Sequence, residues 1–67
     1  DERWLDSSAI RQAISQLSAR EKRILALRFY DGRTQMEVAG SIGISQAQVS
    51  RLEKNALSAI RRAISVS

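Results

Sequence analysis

The 67 residues are enough for one small domain, a size that buries only about 60% of its unfolded surface and so supports a modest core. There is neither cysteine nor histidine, which excludes disulfides and thiolate metal sites and removes the commonest general base and metal ligand, so no metal or other cofactor is expected. The formal net charge of +4 is unevenly spread, at −1 over residues 1–17, +2 over 18–44 and +3 over 45–67, a gradient that points to a polyanion meeting the C-terminal side.

Proline is absent and glycine occurs three times, which suits a mostly helical chain. No apolar run approaches the roughly 20 residues of a membrane span, and no stretch reads as a signal peptide. A chain opening at Asp1 is expected to be a domain cut from a longer protein.

In chain order, the first helix is predicted from about Ser7 to Gln16, with Ala9, Ile10, Ala13, Ile14 and Leu17 on one face. Ser18-Ala-Arg-Glu21 reads as a capping box, and the second helix follows from Ala19 to Tyr30 with Ile24, Leu25, Leu27 and Phe29 apolar. Asp31-Gly32-Arg33 is a stop signal with Gly32 past the helix end. Thr34-Gln-Met-Glu37 is a second capping box, opening a short helix over Gln35 to Ser41 that Gly43 ends. Ser45-Gln-Ala-Gln48 is a third, with Ile44 and Val49 at the spacing of a hydrophobic staple. The last helix is predicted to run to about Ile64 on an inner stripe of Val49, Leu52, Ala56, Leu57, Ile60, Ala63 and Ile64. The expected fold class is therefore all-α, a single four-helix domain over residues 1–67 with a C-terminal helix-turn-helix at about 34–54.

The turn Ile42-Gly43-Ile44-Ser45 is the informative one. A glycine in so short a connection permits φ > 0 and a steep angle between helices. Ala39, four residues earlier, leaves room for close approach, and Val49 and Leu52 lock the second helix onto the first. Small residue, glycine and apolar pair at these offsets are the helix-turn-helix pattern. A plain helical hairpin explains the same apolar positions. It does not explain why the outer face of the last helix is amide, hydroxyl and guanidinium instead of the Glu/Lys mixture of a solvated helix.

From Leu17 to Ile64 the chain resembles region 4 of the sigma-70 family of bacterial sigma factors, most of all the sporulation and stress-response group of sigma-G, sigma-F and sigma-B. The resemblance is carried by "LSAREKRILALRFYDGRTQMEVAGSIGISQAQVSRLEKNAL", and "TQMEVA" followed by "IGISQAQVSRLEK" is especially like sigma-G. It implies a transcription-initiation role. Such a domain recognises the promoter −35 element, docks on the β flap of core RNA polymerase and is in some cases seized by an anti-sigma factor. It implies a bacterial cytoplasmic, nucleoid-associated protein, here serving sporulation genes.

By this resemblance Gln46, Ala47 and Arg51 fall where sigma factors read bases. The chemistry suits them: Arg51 can donate twice to guanine O6 and N7, Gln46 can pair with adenine N6 and N7, and Ala47 can meet a thymine methyl. Gln48, Ser50 and Lys54 suit phosphate oxygens on the groove walls, and Ser45 and Thr34 sit at helix N-termini that also favour phosphate. Many housekeeping sigma factors carry charged residues where this chain has Gln46, Ala47 and Gln48, so the −35 sequence read is left open. Glu53 is expected to pair with Arg51 or Lys54 or to face solvent, with no DNA role. Arg61 and Arg62 lie beyond the groove, as a dipole-favoured helix end or a distal contact.

Helices one and two carry more apolar residues than so small a core needs. In the family they help to form the concave surface for the β flap, and the candidates for that flap or for an anti-sigma factor are Trp4, Leu5, Ile10, Ile14, Leu25, Leu27 and Phe29. An exposed aromatic beside a leucine is a common partner anchor. Two rival readings remain. One is the helix-turn-helix of response-regulator activators, which share L-x-x-R-E and G-I-S but not the long basic continuation "VSRLEKNALSAIRR". The other is a protein-interaction module captured by an anti-sigma factor. No membrane or small-molecule partner is expected, and no enzyme: without His or Cys no nucleophile–base pair sits in a recognisable motif.

Overall fold

The computed structural model describes residues 8–66. Trp4 and Leu5 lie outside these residues. Four helices follow one another: α1 (Ser8–Ser15), α2 (Ala19–Leu25, continued as a π-helical turn over Ala26–Tyr30), α3 (Gln35–Ile42) and α4 (Gln46–Val66). Among the described residues there is no strand.

All three capping boxes form. Glu21 N–H donates to Ser18 Oγ at 3.1 Å while Ser18 N–H donates to Glu21 Oε1 at 3.0 Å. The Thr34–Glu37 pair repeats this at 3.1 and 2.9 Å, and the Ser45–Gln48 pair at 3.1 Å in both directions. Each box satisfies two backbone donors that a helix start otherwise leaves unpaired. That is why the starts at Ala19, Gln35 and Gln46 fall where the sequence places them.

The end of α2 departs from the expected plain helix. The chain winds one residue wider, so that Asp31 N–H reaches Ala26 O at 3.2 Å, and past the helix end Arg33 N–H reaches six residues back to Leu27 O at 3.0 Å. Gly32, with φ 67°, carries the chain out of the helix. Such π turns are uncommon and cluster at functional sites.

The core is small. Ile24, Val38, Ala39 and Val49 are buried together, with Leu27, Ile42, Ile44 and Leu52 packed around them. α1 lies against α4 and buries Ile10, and on α4 Ala56 is fully buried. With 21 residues, α4 is the longest element. At 1.5 Å per residue it runs about 31 Å, most of the molecule's 35 Å long dimension.

Several residues expected on apolar faces stand at the rim or outside it. Ile14 and Ile64 are largely exposed, Met36 is 70% exposed and Phe29 58%. A core of four short amphipathic helices covers only the centre of each apolar stripe.

Candidate nucleic-acid interface

The turn between α3 and α4 sets the geometry. Gly43 takes φ 84°, in the left-handed region that L side chains rarely adopt. Its N–H and that of Ile44 both donate to Ala39 O, at 2.8 and 3.1 Å, closing α3 with the six-residue bond of a Schellman cap. Ile44 also packs against the core cluster to which Ala39 belongs, as apolar packing usually accompanies this cap. Two residues later α4 begins.

Within the first turns of α4 the inner and outer faces separate cleanly. Val49 and Ala56 are buried, with Glu53 between them and Leu52 half-buried. Gln46, Ala47, Ser50, Arg51 and Lys54 are all exposed. At 3.6 residues per turn the spacings 46, 47, 50, 51 and 54 share one face. The residues singled out for base readout are thus on one outward surface, with Ser50 and Lys54 beside them. Arg51 and Lys54 make no hydrogen bond or ion pair to another described residue. Ser50 and Lys54 also line a shallow cleft of about 250 Å³ with Gln35, Leu57, Ser58 and Arg61.

Gln48 and Ser45 are engaged with each other. Gln48 Oε1 accepts from Ser45 N–H and from the Ser45 hydroxyl at 3.3 Å. The Gln48 amide N–H groups donate to no described residue. Thr34 at the start of α3 is occupied in the same way by Glu37. The Thr34 backbone N–H, then its hydroxyl, hold the Glu37 carboxyl below its ordinary pKa, so Glu37 stays ionised at the positive end of α3.

Glu53 corrects the expectation from sequence. It neither pairs with Arg51 or Lys54 nor faces solvent, but is only 9% exposed. Arg28 Nε donates to Glu53 Oε1 at 2.7 Å, and Gln35 Nε2 reaches the same oxygen at 3.4 Å. Another guanidinium nitrogen of Arg28 donates to the Arg33 carbonyl at 2.8 Å, and the Phe29 ring centroid lies 5.9 Å from the guanidinium carbon. The signal was present in the spacing: residues 49, 53 and 56 are on the buried stripe, so an acid there needs an inward partner. What spacing does not supply is the partner's name. Electrostatically, the single acid of α4 is neutralised from inside. The solvent side of the helix therefore shows Arg51 and Lys54, both exposed, with no exposed carboxylate of α4 beside them, and further along the exposed Arg61 and Arg62.

The residues expected to meet a protein partner are only partly gathered. Ile10 is 3% exposed and belongs to the α1–α4 contact. Leu25 and Leu27 are half-buried, while Ile14 and Phe29 are exposed. Tyr30, 88% exposed, extends the apolar surface beside Phe29 and was not singled out from the sequence.

Comparison with known proteins agrees with this architecture. The family model described as "Sigma-70, region 4" matches residues 13–62. The chain is 61% identical over 62 residues to the RNA polymerase sigma-G factor of Clostridium acetobutylicum, a match covering 92% of this chain and 24% of that protein. It is 52% identical over 64 residues to the sigma-G factor of Bacillus subtilis, covering 96% of this chain and 25% of the relative. It is 54% identical over 61 residues to the B. subtilis sigma-F factor, covering 91% and 24%. The chain thus spans about a quarter of the length of these relatives. No solved structure matches it. With most of its length matched both by the family model and by relatives at more than half identity, the chain belongs to the sigma-70 region 4 family.

Proposed function

We propose that this chain is the promoter-reading domain of a sporulation-type sigma factor. It lays the first turns of α4 in the major groove of the −35 element. Arg51, Gln46 and Ala47 face base edges, and Ser50, Lys54, Gln48 and the N-termini at Ser45 and Thr34 face phosphates. The observation that carries this reading is the two-faced start of α4. Its polar, uncommitted side chains lie on one exposed face, over a buried face pinned to α2 and α3. Its chemistry is recognition and requires no catalytic group.

In this reading the chain is one domain of a longer sigma factor that works bound to core RNA polymerase in the bacterial cytoplasm, on the nucleoid. No helix of the described residues is long and apolar enough to cross a membrane. By itself the domain binds promoter DNA weakly, because a few phosphate contacts give a modest, salt-sensitive gain. Tethering to polymerase raises its effective concentration at the promoter. Nanomolar binding of the isolated domain at physiological salt would contradict this.

The test is a titration of fluorescent duplexes, with and without a −35 element, against wild type and Arg51→Ala at low and moderate salt. Wild type should prefer the −35 duplex, and the variant should lose about tenfold or more of that preference, the discrimination of one bidentate base contact. Equal, purely salt-dependent binding by both proteins would reduce α4 to a phosphate grip.

A second surface is favoured by the exposed Phe29 and Tyr30, which follow the half-buried Leu25 and Leu27 in sequence, together with the exposed Ile14 on α1. This face meets a protein, the polymerase β flap or an anti-sigma factor, with Trp4 and Leu5 as candidate anchors. Phe29→Ser should weaken capture by the β flap while leaving DNA preference intact. Loss of both together would show that the two surfaces are not separate.

A further inference from the structure

Where α2 packs on the helix-turn-helix, the buried cluster is apolar: Ile24 of α2, Val38 and Ala39 of α3, and Val49 of α4. Apolar contact is non-directional. It holds α4 against its neighbours but does little to fix the rotation of α4 about its own axis. The directional contacts across the same interface converge on Glu53. The Arg28 guanidinium donates at 2.7 Å to Glu53 on α4 and at 2.8 Å to the Arg33 carbonyl in the loop before α3. Glu53 sits between Val49 and Ala56, both fully buried, and its carboxylate takes the Arg28 bond at the floor of the cleft that Ser50, Lys54 and Arg61 also border. Gln35, the first residue of α3, approaches the same oxygen at 3.4 Å. This group of four residues joins α2, the loop, α3 and α4 through one guanidinium and one carboxylate oxygen.

With side chains 27% and 11% exposed the pair is largely withdrawn from solvent, and such an ion pair contributes little net stability compared with apolar side chains of the same size, its best-attested use being to set register. We infer that the Arg28–Glu53 pair sets the rotation of α4 and thereby determines which base edges Gln46, Ala47 and Arg51 reach; this rests on the promoter-reading function proposed above. Arg28 and Glu53 are positioning residues that need touch no DNA. The leverage is large. With side chains the helix has a radius of about 5–6 Å, so a rotation of about 20° moves an outer atom by about 2 Å. A hydrogen bond tolerates only a few tenths of an ångström. Phosphate contacts made by flexible side chains survive such a shift, and a bidentate base contact does not.

The test uses the double variant Arg28→Met with Glu53→Leu, which removes one charge of each sign. Non-specific electrostatic binding and its salt slope are therefore expected to stay at wild-type values. The melting temperature should stay near that of wild type or rise. The ratio of affinities for −35 and scrambled duplexes should fall about tenfold, the loss of one base contact. Arg28→Lys is the second variant. It keeps the charge but cannot bond Glu53 and the Arg33 carbonyl together through a planar fork. It should lower the same ratio several-fold at unchanged salt slope, which a purely structural role would not do in a folded protein. Residual dipolar couplings on the free domain report the orientation of α4 relative to α2. They should show one orientation in wild type and an altered or averaged one in Arg28→Lys. Folded variants that keep the full ratio overturn the inference and leave promoter reading standing. A wild type without any −35 preference overturns promoter reading instead, and the couplings then decide the pair's role: an unchanged α4 orientation in Arg28→Lys rejects it.

Discussion

The start of α4 and the end of α2 are both amphipathic helix, yet they meet solvent in opposite ways. On α4 the apolar side chains Val49 and Ala56 are fully buried and the exposed positions of its first turns, Ala47 apart, are amide, hydroxyl or cationic. On the last turn of α2, Phe29 and Tyr30 stand outside while Arg28, a cation, turns inward. On the proposed function the difference separates two kinds of recognition. Reading base edges needs polar groups held rigidly, so their helix must be fastened from behind. Meeting a protein needs apolar area left uncovered, and Phe29 and Tyr30 on the π turn are left so.

That contrast can be broken by moving the core. Ile24→Ala removes a fully buried side chain from the cluster shared by α2, α3 and α4. It should cost about 2–5 kcal/mol, enough to unfold much of a domain this small. Phe29→Ala, on the open side, should cost well under 1 kcal/mol in the same urea melts. Equal losses at the two sites would erase the distinction.

The two glycines of the helix-turn-helix sharpen it further. Gly43 has φ 84°, so Gly43→Ala should destabilise by about 1–2 kcal/mol although a Cβ there meets no neighbour. Gly40 lies inside α3 with ordinary helical φ and open space where a methyl group would sit. Gly40→Ala should therefore stabilise by about 0.5–1 kcal/mol. Thermal melts of the pair, opposite in sign, would show that conformation and not space governs the turn.

The smallest effect concerns acid. The folded-state pKa of Glu37 is depressed by Thr34, so its contribution is present above the ordinary carboxylate range. It is lost as pH falls through the lowered folded value. Wild type should lose more melting temperature than Glu37→Gln between neutral pH and strong acid. Parallel curves would mean that the capping carboxylate is energetically silent.

Much of this molecule was legible in local spacing. A capping box spans four residues, and Ser18, Thr34 and Ser45 each announced a helix that begins there. Gly43 announced the turn because only a left-handed residue closes α3 so abruptly. The outer position of Gln46, Ala47 and Arg51 followed from helical period alone. Less legible was which apolar residues become core. Ile10 and Ile14 lie on the same predicted face, but α4 covers the first and leaves the second at the rim.

By itself, then, the sequence determined the helices, their starts, the turn and the polar face of α4, since these depend on interactions reaching three or four residues along the chain. Tertiary structure decided the rest. Arg28 and Glu53 are 25 residues apart, and nothing in their local surroundings names them as partners. The π turn and the exposure of Phe29 and Tyr30 were likewise not legible from local spacing. A buried charge must find its partner wherever the packed helices bring one, and that place exists only once the chain is folded.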